Sequence, residues 1–272
     1  MKCIFKYPGS KWSMTRWITD HFPEHHSYLE PFFGSGAVFF NKPRSKIETI
    51  NDLDNDIVNF FMCMARDPEL LSEKVSSLPY ARIVFEHSVD EITKPFSFEN
   101  PDYDRALMFV AKTMMGHGFR TCEIRTGFKR DIQGRQAAYA AGDWANLPDV
   151  IRKMSDRLKG VQIENRPAVR LIREFNYPNV LIYADPPYVR SSRSCSRDLY
   201  RHEMTDEDHE ELLDVLIRHK GPVIISGYDN SLYNDRLKDW KKEQIEARTQ
   251  VQGKSIEVIW MNFNSPMQTS IL

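Results

Sequence analysis

The stretch Val180–Arg190, VLIYADPPYVR, constrains the fold more than any other part of the chain. A short apolar run of β-favouring residues fits a strand covered on both faces, the kind found inside a parallel sheet. It ends abruptly. Pro186 has no N–H to offer a ladder, and Pro187 fixes its own φ while restricting the residue before it. Asp185 is therefore held at the carboxyl end of a buried strand, followed by a stiff corner and the flat ring of Tyr188. Open α/β sheets place their ligands at such strand ends.

The rest of the sequence supplies the neighbours that this strand needs. SKWSMTRWITDHF places Trp12, Trp17 or Ile18, and His21 or Phe22 at helical spacing, with Ser10 or Ser13 as N-cap. HSYLEPFFGSGAVFF runs from a strand through a glycine bend into a helix start. KIETINDLDNDIVNFFMCMA reads as a strand ending near Asp52, then a helix with Ile57, Phe60, Phe61 and Met64 on one face. Strand and helix alternate as in a parallel α/β sheet.

Residues 67–147 break this pattern with helical pieces and polar loops, and read as an insertion between α/β parts at 1–66 and 148–272. Strands resume with GVQIEN, a helix through Val169 to Phe175, and VLIYAD. A helix follows in which Thr205 and Asp208 resemble a capping box and Leu212, Leu213, Leu216 and Ile217 form the buried stripe. PVIIS is the next strand. KKEQIEART and SIEVIWMNF, separated by QVQGK, predict a C-terminal antiparallel hairpin.

Composition narrows the function classes. With 272 residues, 41% hydrophobic and 28% charged, the chain is of ordinary globular type and long enough for a proper core. No stretch is long and apolar enough to span a bilayer, and MKCIFKYPGSKW lacks the apolar core of a signal peptide. A cytoplasmic protein is expected, without a membrane partner. Cys3, Cys63, Cys122 and Cys195 lie far apart with no CxxC pair and read as free thiols rather than zinc ligands. His202-Glu203 and His209-Glu210 do not make HExxH, and His25-His26 has no partner at ligand spacing, so these histidines read as surface or capping residues and no metal is expected. A net charge of −1 means that any polyanion surface must show as local clustering.

Three motifs carry chemistry. Gly34 and Gly36 would let the backbone approach a ligand between a strand end and a helix N-terminus, although the pair alone equally describes a tight strand-to-helix turn. Phe39 stands where a dinucleotide fingerprint wants a small residue, and Ala37-Val38 cannot supply the GK[ST] of a phosphate loop. Asp52, eighteen positions after Gly34, sits where a carboxylate accepts both hydroxyls of a ribose, which suits an adenosine moiety. In KYPGSK, Lys11 on a first helical turn could meet a ligand carboxylate with Tyr7 beside it. At the strand end, the Asp185 carboxylate and a nearby carbonyl can accept both N–H bonds of an exocyclic amine while Tyr188 stacks on the base.

In this order, KYPGSK, EPFFGSG, Asn51-Asp52 and DPPY resemble the Dam-like family of adenine-specific DNA methyltransferases, with RLKGVQIENRPAVRLI and the segment from His202 to Leu237 similar to phage and prophage members. The resemblance covers Lys6 to about Phe263. It implies a Rossmann-like class I methyltransferase sheet, mostly parallel with a C-terminal antiparallel hairpin, plus a mainly helical inserted DNA-recognition domain at 67–147. It implies transfer of methyl from S-adenosylmethionine to N6 of a flipped-out adenine in double-stranded DNA, leaving S-adenosylhomocysteine. Tyr7, Lys11, Asp52 and Asp185 would bind the cofactor and Phe32, Gly34 and Gly36 shape its pocket. Asp185, Pro186, Pro187 and Tyr188 would form the catalytic corner. A nucleoid-associated location and a cognate restriction endonuclease as candidate partner belong to the same expectation. Tyr7 and Ser10 depart from the tryptophan and glycine common in the family.

Two basic clusters are candidate DNA contacts. Arg120, Arg125, Lys129, Arg130 and Arg135 lie in the insertion among glycines and the aromatics Phe119 and Phe128. Arg190, Arg193, Arg197 and Arg201 follow the catalytic corner, where a loop could clamp the flipped strand. Competing readings are an amino-methyltransferase acting on cytosine N4, RNA adenine or a protein glutamine, a non-catalytic DNA-binding module, and a nicotinamide oxidoreductase.

Overall fold

The computed structural model describes residues 4–5, 7–117, 127–130, 140–193, 199–249 and 253–264. The chain begins with a short helix α1 (Thr15–Thr19), strand β1 (Ser27–Glu30), helix α2 (Ala37–Asn41) and strand β2 (Ile47–Asn51). Five helices follow, α3 (Asn55–Arg66), α4 (Pro68–Ser77), α5 (Arg82–Ile92), α6 (Tyr103–Met115) and α7 (Ala140–Leu158). Then come β3 (Gln162–Glu164), α8 (Ala168–Glu174) and β4 (Val180–Ala184). A 3-10 turn at Arg190–Ser192 leads on to α9 (Asp206–Ile217), β5 (Val223–Gly227), α10 (Ser231–Arg236), β6 (Lys241–Thr249) and β7 (Gly253–Met261).

The chain divides into two compact units. The larger, residues 11–53, 161–197 and 202–272, holds one seven-stranded sheet in the order β3-β2-β1-β4-β5-β7-β6. The first five strands are parallel; β7 enters antiparallel to β5 and pairs antiparallel with β6. This is the Rossmann-like arrangement expected, with the hairpin closing one edge. β4 is central, and all five of its residues are buried. One face takes Val180, Ile182 and Ala184 together with Val223, Ile225, Val258 and Trp260 against Leu171, Ile172, Leu212, Leu213 and Leu216 of α8 and α9. On the other face Phe22, just after α1, meets Tyr28 at 5.8 Å and Tyr183 at 6.1 Å between ring centroids. Alternation along β4 thus feeds two cores, which is why its sequence is apolar throughout.

The Thr205 and Asp208 capping box of α9 is present in full. The first helix differs from expectation. It starts at Thr15 with Met14 at its N-cap and no side-chain cap, because residues 7–14 are taken up by turns, including Gly9 at φ 68°. Lys11 therefore lies in the turn ahead of α1 and not on its first turn.

The second unit comprises residues 1–10, 54–160 and 198–201, and is helical. Its core gathers Phe5 with Phe60 and Phe109 at centroid separations of 5.3 and 5.1 Å. Asp67 and Asp102 cap α4 and α6 through the amides of Leu70 and Arg105. The unit takes in α3 and runs past Pro148, which sits inside α7; the stripe Trp144, Leu147, Ile151 and Met154 buried along α7 offsets the hydrogen bond lost at the proline. Cys63 is a buried free thiol, as read from the sequence, while Cys3, Cys122 and Cys195 lie outside the described residues.

Candidate active site

The carboxyl ends of β1, β2, β4 and β5 lie side by side in the sheet unit, and each delivers one part of the site. At β1, Gly34 and Gly36 adopt φ of 51° and 67°, in the left-handed region. A Cβ on Gly36 would stand 2.5 Å from the Phe33 ring, so the bend tolerates no larger residue without rearrangement. The Gly34 amide donates to Asp52 Oδ2 at 2.8 Å, which joins the glycine bend to the acid at the end of β2. Asn51 stitches the same region, donating to the carbonyls of Pro31 at 2.9 Å and Arg166 at 3.0 Å, and its side chain accepts from the Arg166 amide. Phe32 is partly buried against the core that backs β4.

At β4 the geometry is tighter. Asp185 follows the strand directly, and the Lys11 ammonium lies 2.8 Å from each of its carboxylate oxygens. Ser226 on β5 donates to Asp185 Oδ1 at 2.7 Å. Lys11 is 2% exposed and Asp185 19%. Burial alone would drag the ammonium down, but the Asp185 and Glu257 carboxylates outweigh it and leave Lys11 above its ordinary value. Pro186 is buried and Pro187 half-buried. Tyr188 lies beneath the ammonium, 4.8 Å from Nζ to the ring centroid, and meets Tyr228 edge-on at 4.7 Å. Its hydroxyl donates to Glu257 Oε2 on β7 at 2.6 Å. Burial and the facing Asp185 and Glu257 carboxylates hold that phenol well above its ordinary ionisation range, so it stays a donor.

Lys11, Gly34, Asp52, Asp185 and Tyr188 are thus brought to one edge of one sheet. Sequence reasoning did not find Ser226, Glu257 or Tyr228, whose parts depend on strand order and register and have no local signature. Tyr7 lies in the helical unit, where its ring packs near Phe5 and Tyr200 at centroid separations of 6.4 and 5.9 Å.

The basic residues separate. Arg193, read as part of a DNA clamp, donates to the Tyr188 carbonyl at 2.6 Å and makes a bidentate pair with Glu203 at 2.9 and 2.7 Å. Arg201, of the same run, is committed to Asp54 at 2.7 Å and Asp56 at 2.6 Å within the helical unit. Burial would lower its pKa, but the two carboxylates raise it further. Both guanidiniums thus hold internal contacts. Arg190 and Arg130 are exposed and Lys129 is half-buried. Phe128 packs on Tyr80 at 5.2 Å with the Arg82 guanidinium 5.1 Å from its ring centroid, and the Lys129 carbonyl accepts from the Tyr80 hydroxyl. Arg120, Arg125, Arg135 and Arg197, with Phe119, lie outside the described residues.

One histidine reading is corrected. His209 is fully buried and shares a 3.0 Å hydrogen bond with Tyr233, because it lies on the face of α9 that carries Leu212, Leu213 and Leu216 onto the core. Among the described residues no group of three His, Cys, Asp or Glu side chains could hold a metal ion.

Residues 7–252 match the D12 class N6 adenine-specific DNA methyltransferase family. The chain belongs to that family. Relatives span its length: the Type II methyltransferase M1.LlaDCHI of Lactococcus lactis subsp. cremoris is 24% identical, covering 96% of this chain and 95% of its own. The DNA adenine methylase of Salmonella typhi is 20% identical over 92% of this chain and 89% of its own. M.MjaIII of Methanocaldococcus jannaschii, a Type II methyltransferase, is 25% identical over 78% of each. This chain is accordingly a DNA adenine-N6 methyltransferase, and nothing in these similarities favours cytosine, RNA or protein substrates, a non-catalytic module, or nicotinamide chemistry. Among the described residues no helix is long and apolar enough to cross a membrane.

Proposed function

We propose that the methyl donor is S-adenosylmethionine, that the target is an adenine flipped out of double-stranded DNA, and that Asp185, Pro186, Pro187 and Tyr188 form the corner where transfer occurs. The observation that carries this reading is the Lys11–Asp185–Ser226 cluster above the Tyr188 ring at the carboxyl end of β4. The residues present fit an adenosine-bearing cofactor: an acid at the end of β2 and a bend of small residues at the end of β1 are fastened together by the Gly34–Asp52 hydrogen bond. Asp52 would hold the ribose hydroxyls, with Gly34, Gly36 and Phe32 shaping the surrounding wall. When bound, the cofactor supplies an electrophilic methyl on a sulfonium.

The N6 atom of adenine is inaccessible within a stacked duplex, so the base must leave the stack. Tyr188 gives it a ring to lie on. An ionised carboxylate has room for about four hydrogen bonds, and Lys11 and Ser226 occupy three of these directions on Asp185, leaving one for an amino proton. The Pro186 carbonyl, fixed by its ring and by Pro187, takes the other. Held by both protons, the nitrogen presents its lone pair out of the plane of the base, and the two acceptors stabilise the positive charge that grows on N6. The Lys11 ammonium keeps the carboxylate anchored during transfer. The extra proton leaves the methylated nitrogen afterwards. Exposed Arg130 and Arg190, with Lys129, are proposed contacts to the DNA backbone, together with Arg120, Arg125, Arg135 and Arg197.

Incubation with deuteromethyl-labelled S-adenosylmethionine and duplex DNA, single-stranded DNA or RNA, followed by nucleoside mass spectrometry, tests the reading. Label in N6-methyldeoxyadenosine from duplex DNA is expected. Label confined to RNA, or to single strands, would overturn the flipped-duplex proposal.

A further inference from the structure

A buried carboxylate remains that this mechanism does not use. Glu257 lies on β7, which runs antiparallel to β5 with Val258 level with Gly227. Glu257 is the next residue beyond this last pair, and its carboxylate meets the Tyr188 hydroxyl at 2.6 Å. It is 8% exposed, and Tyr188 7%. Burying a carboxylate is costly unless it is hydrogen-bonded and faces opposite charge, and an apolar side chain would fill this place more cheaply. Glu257 satisfies both conditions within the site: it accepts from the Tyr188 hydroxyl and lies within electrostatic reach of Lys11.

We propose that Glu257 is a positioning residue for methyl transfer, holding the Tyr188 ring by its hydroxyl in the orientation on which the target base is to stack. The hydroxyl is the ring's far tip, and its bond to Glu257 is the contact that ties that tip to the sheet. Tyr228 touches it edge-on from one side and the Lys11 ammonium lies over its face. A short hydrogen bond at the far end of the ring, to a residue fixed in the interior of a β-ladder, limits how far the ring can tilt or shift. Burial leaves the Glu257 carboxyl with a raised pKa, partly countered by Lys11, and the Tyr188 phenol stays protonated, so the hydroxyl donates and the carboxyl accepts. Glu257 acts through Tyr188 and does not touch the reacting atoms.

The proposal rests on the functional reading above, and its test separates the two. Glu257→Leu, Glu257→Gln, Tyr188→Phe and the Glu257→Leu/Tyr188→Phe double variant are compared with the natural chain. Transfer from tritiated S-adenosylmethionine to unmethylated genomic DNA gives kcat and KM for each substrate, with thermal unfolding as the check on folding. Glu257→Leu should lower kcat about 10- to 100-fold, the scale of a small misplacement at a reacting centre, with the KM for S-adenosylmethionine little changed. Glu257→Gln, which keeps the acceptor, should recover most of the loss. In the Tyr188→Phe background the Glu257→Leu change should cost no more than about twofold, since coupled residues are non-additive. A folded Glu257→Leu variant with unaltered kcat, or losses that simply multiply in the double variant, would overturn the proposal. A second readout needs no turnover: in spectra of ring-carbon-labelled tyrosine, the Tyr188 signal, assigned by its disappearance in Tyr188→Phe, should shift in Glu257→Leu. A Tyr188 signal that stays in place would overturn the proposal, whereas absence of methyl transfer by the natural chain would count against the functional reading.

Discussion

At the scale of single residues, the site is a set of paired charges and aimed acceptors whose removal should have distinct consequences. Asp185→Ala removes the acceptor proposed for the amino group and leaves Lys11 buried without its carboxylate. A loss of kcat of at least about 100-fold is expected, as for other preorganised electrostatic groups, with DNA retention on a gel largely unchanged. Gly36 tests the bend. Gly36→Ala must hold φ near 67° and bring a methyl against Phe33 and Phe40, so urea unfolding should show a loss of about 2 to 4 kcal/mol. Gly160→Ala, at φ 78° but with nothing within 4 Å, should lose only about 1 kcal/mol. Asp185, Tyr188, Gly34 and Asp52 were legible because each sits beside a local signal, a strand end, a proline pair or a glycine bend. Ser226 and Glu257 were not, because a serine in PVIIS and a glutamate in SIEVIW gain their meaning only from neighbours that the ladder brings in. The partnership of Lys11 with Asp185 was hidden for the same reason, at a separation of 174 positions.

At the scale of elements, α9 shows how local coding and tertiary packing divide the work. Thr205 and Asp208 were readable as a capping box, and Thr205→Ala should cost about 1 kcal/mol, measurable as a lower unfolding midpoint. His209, one residue beyond, was misread because nothing local says which turn of the helix faces Tyr233. Burial lowers its pKa to about 4 from an ordinary 6.5. Between these values the unfolded chain binds the proton and the folded chain does not, so stability rises with pH across this window. It is complete above the unfolded value and diminishes as the solution is acidified toward the folded one. Urea titrations at pH 7 and pH 5 should differ by about 2 kcal/mol on account of this residue, and His209→Gln should remove that part of the difference. Equal pH dependence in the two proteins would contradict this assignment. The hairpin of β6 and β7 was legible as a pair, but not the insertion of β7 between β5 and β6, which brings Glu257 to Tyr188.

At the scale of the whole molecule, an alternating strand and helix pattern interrupted by a helical stretch was enough to anticipate a mostly parallel sheet with an antiparallel edge. The first helix was legible only in part: Trp17 and Ile18 lie in α1, but Trp12 and His21 fall in the turns on either side of it. The basic runs were legible as charge but not as surface, since burial and pairing decide whether an arginine faces solvent: Arg193 and Arg201 are bound internally while Arg130 and Arg190 are exposed. The central claim is that the corner at residues 185–188 methylates adenine N6. Single-molecule sequencing of DNA from cells expressing the natural chain or Asp185→Ala, in a host without adenine methylation, tests it most directly. N6-methyladenine at one recurring sequence with the natural chain, and none with the variant, is the predicted result; equal adenine methylation by a folded Asp185→Ala protein would contradict it.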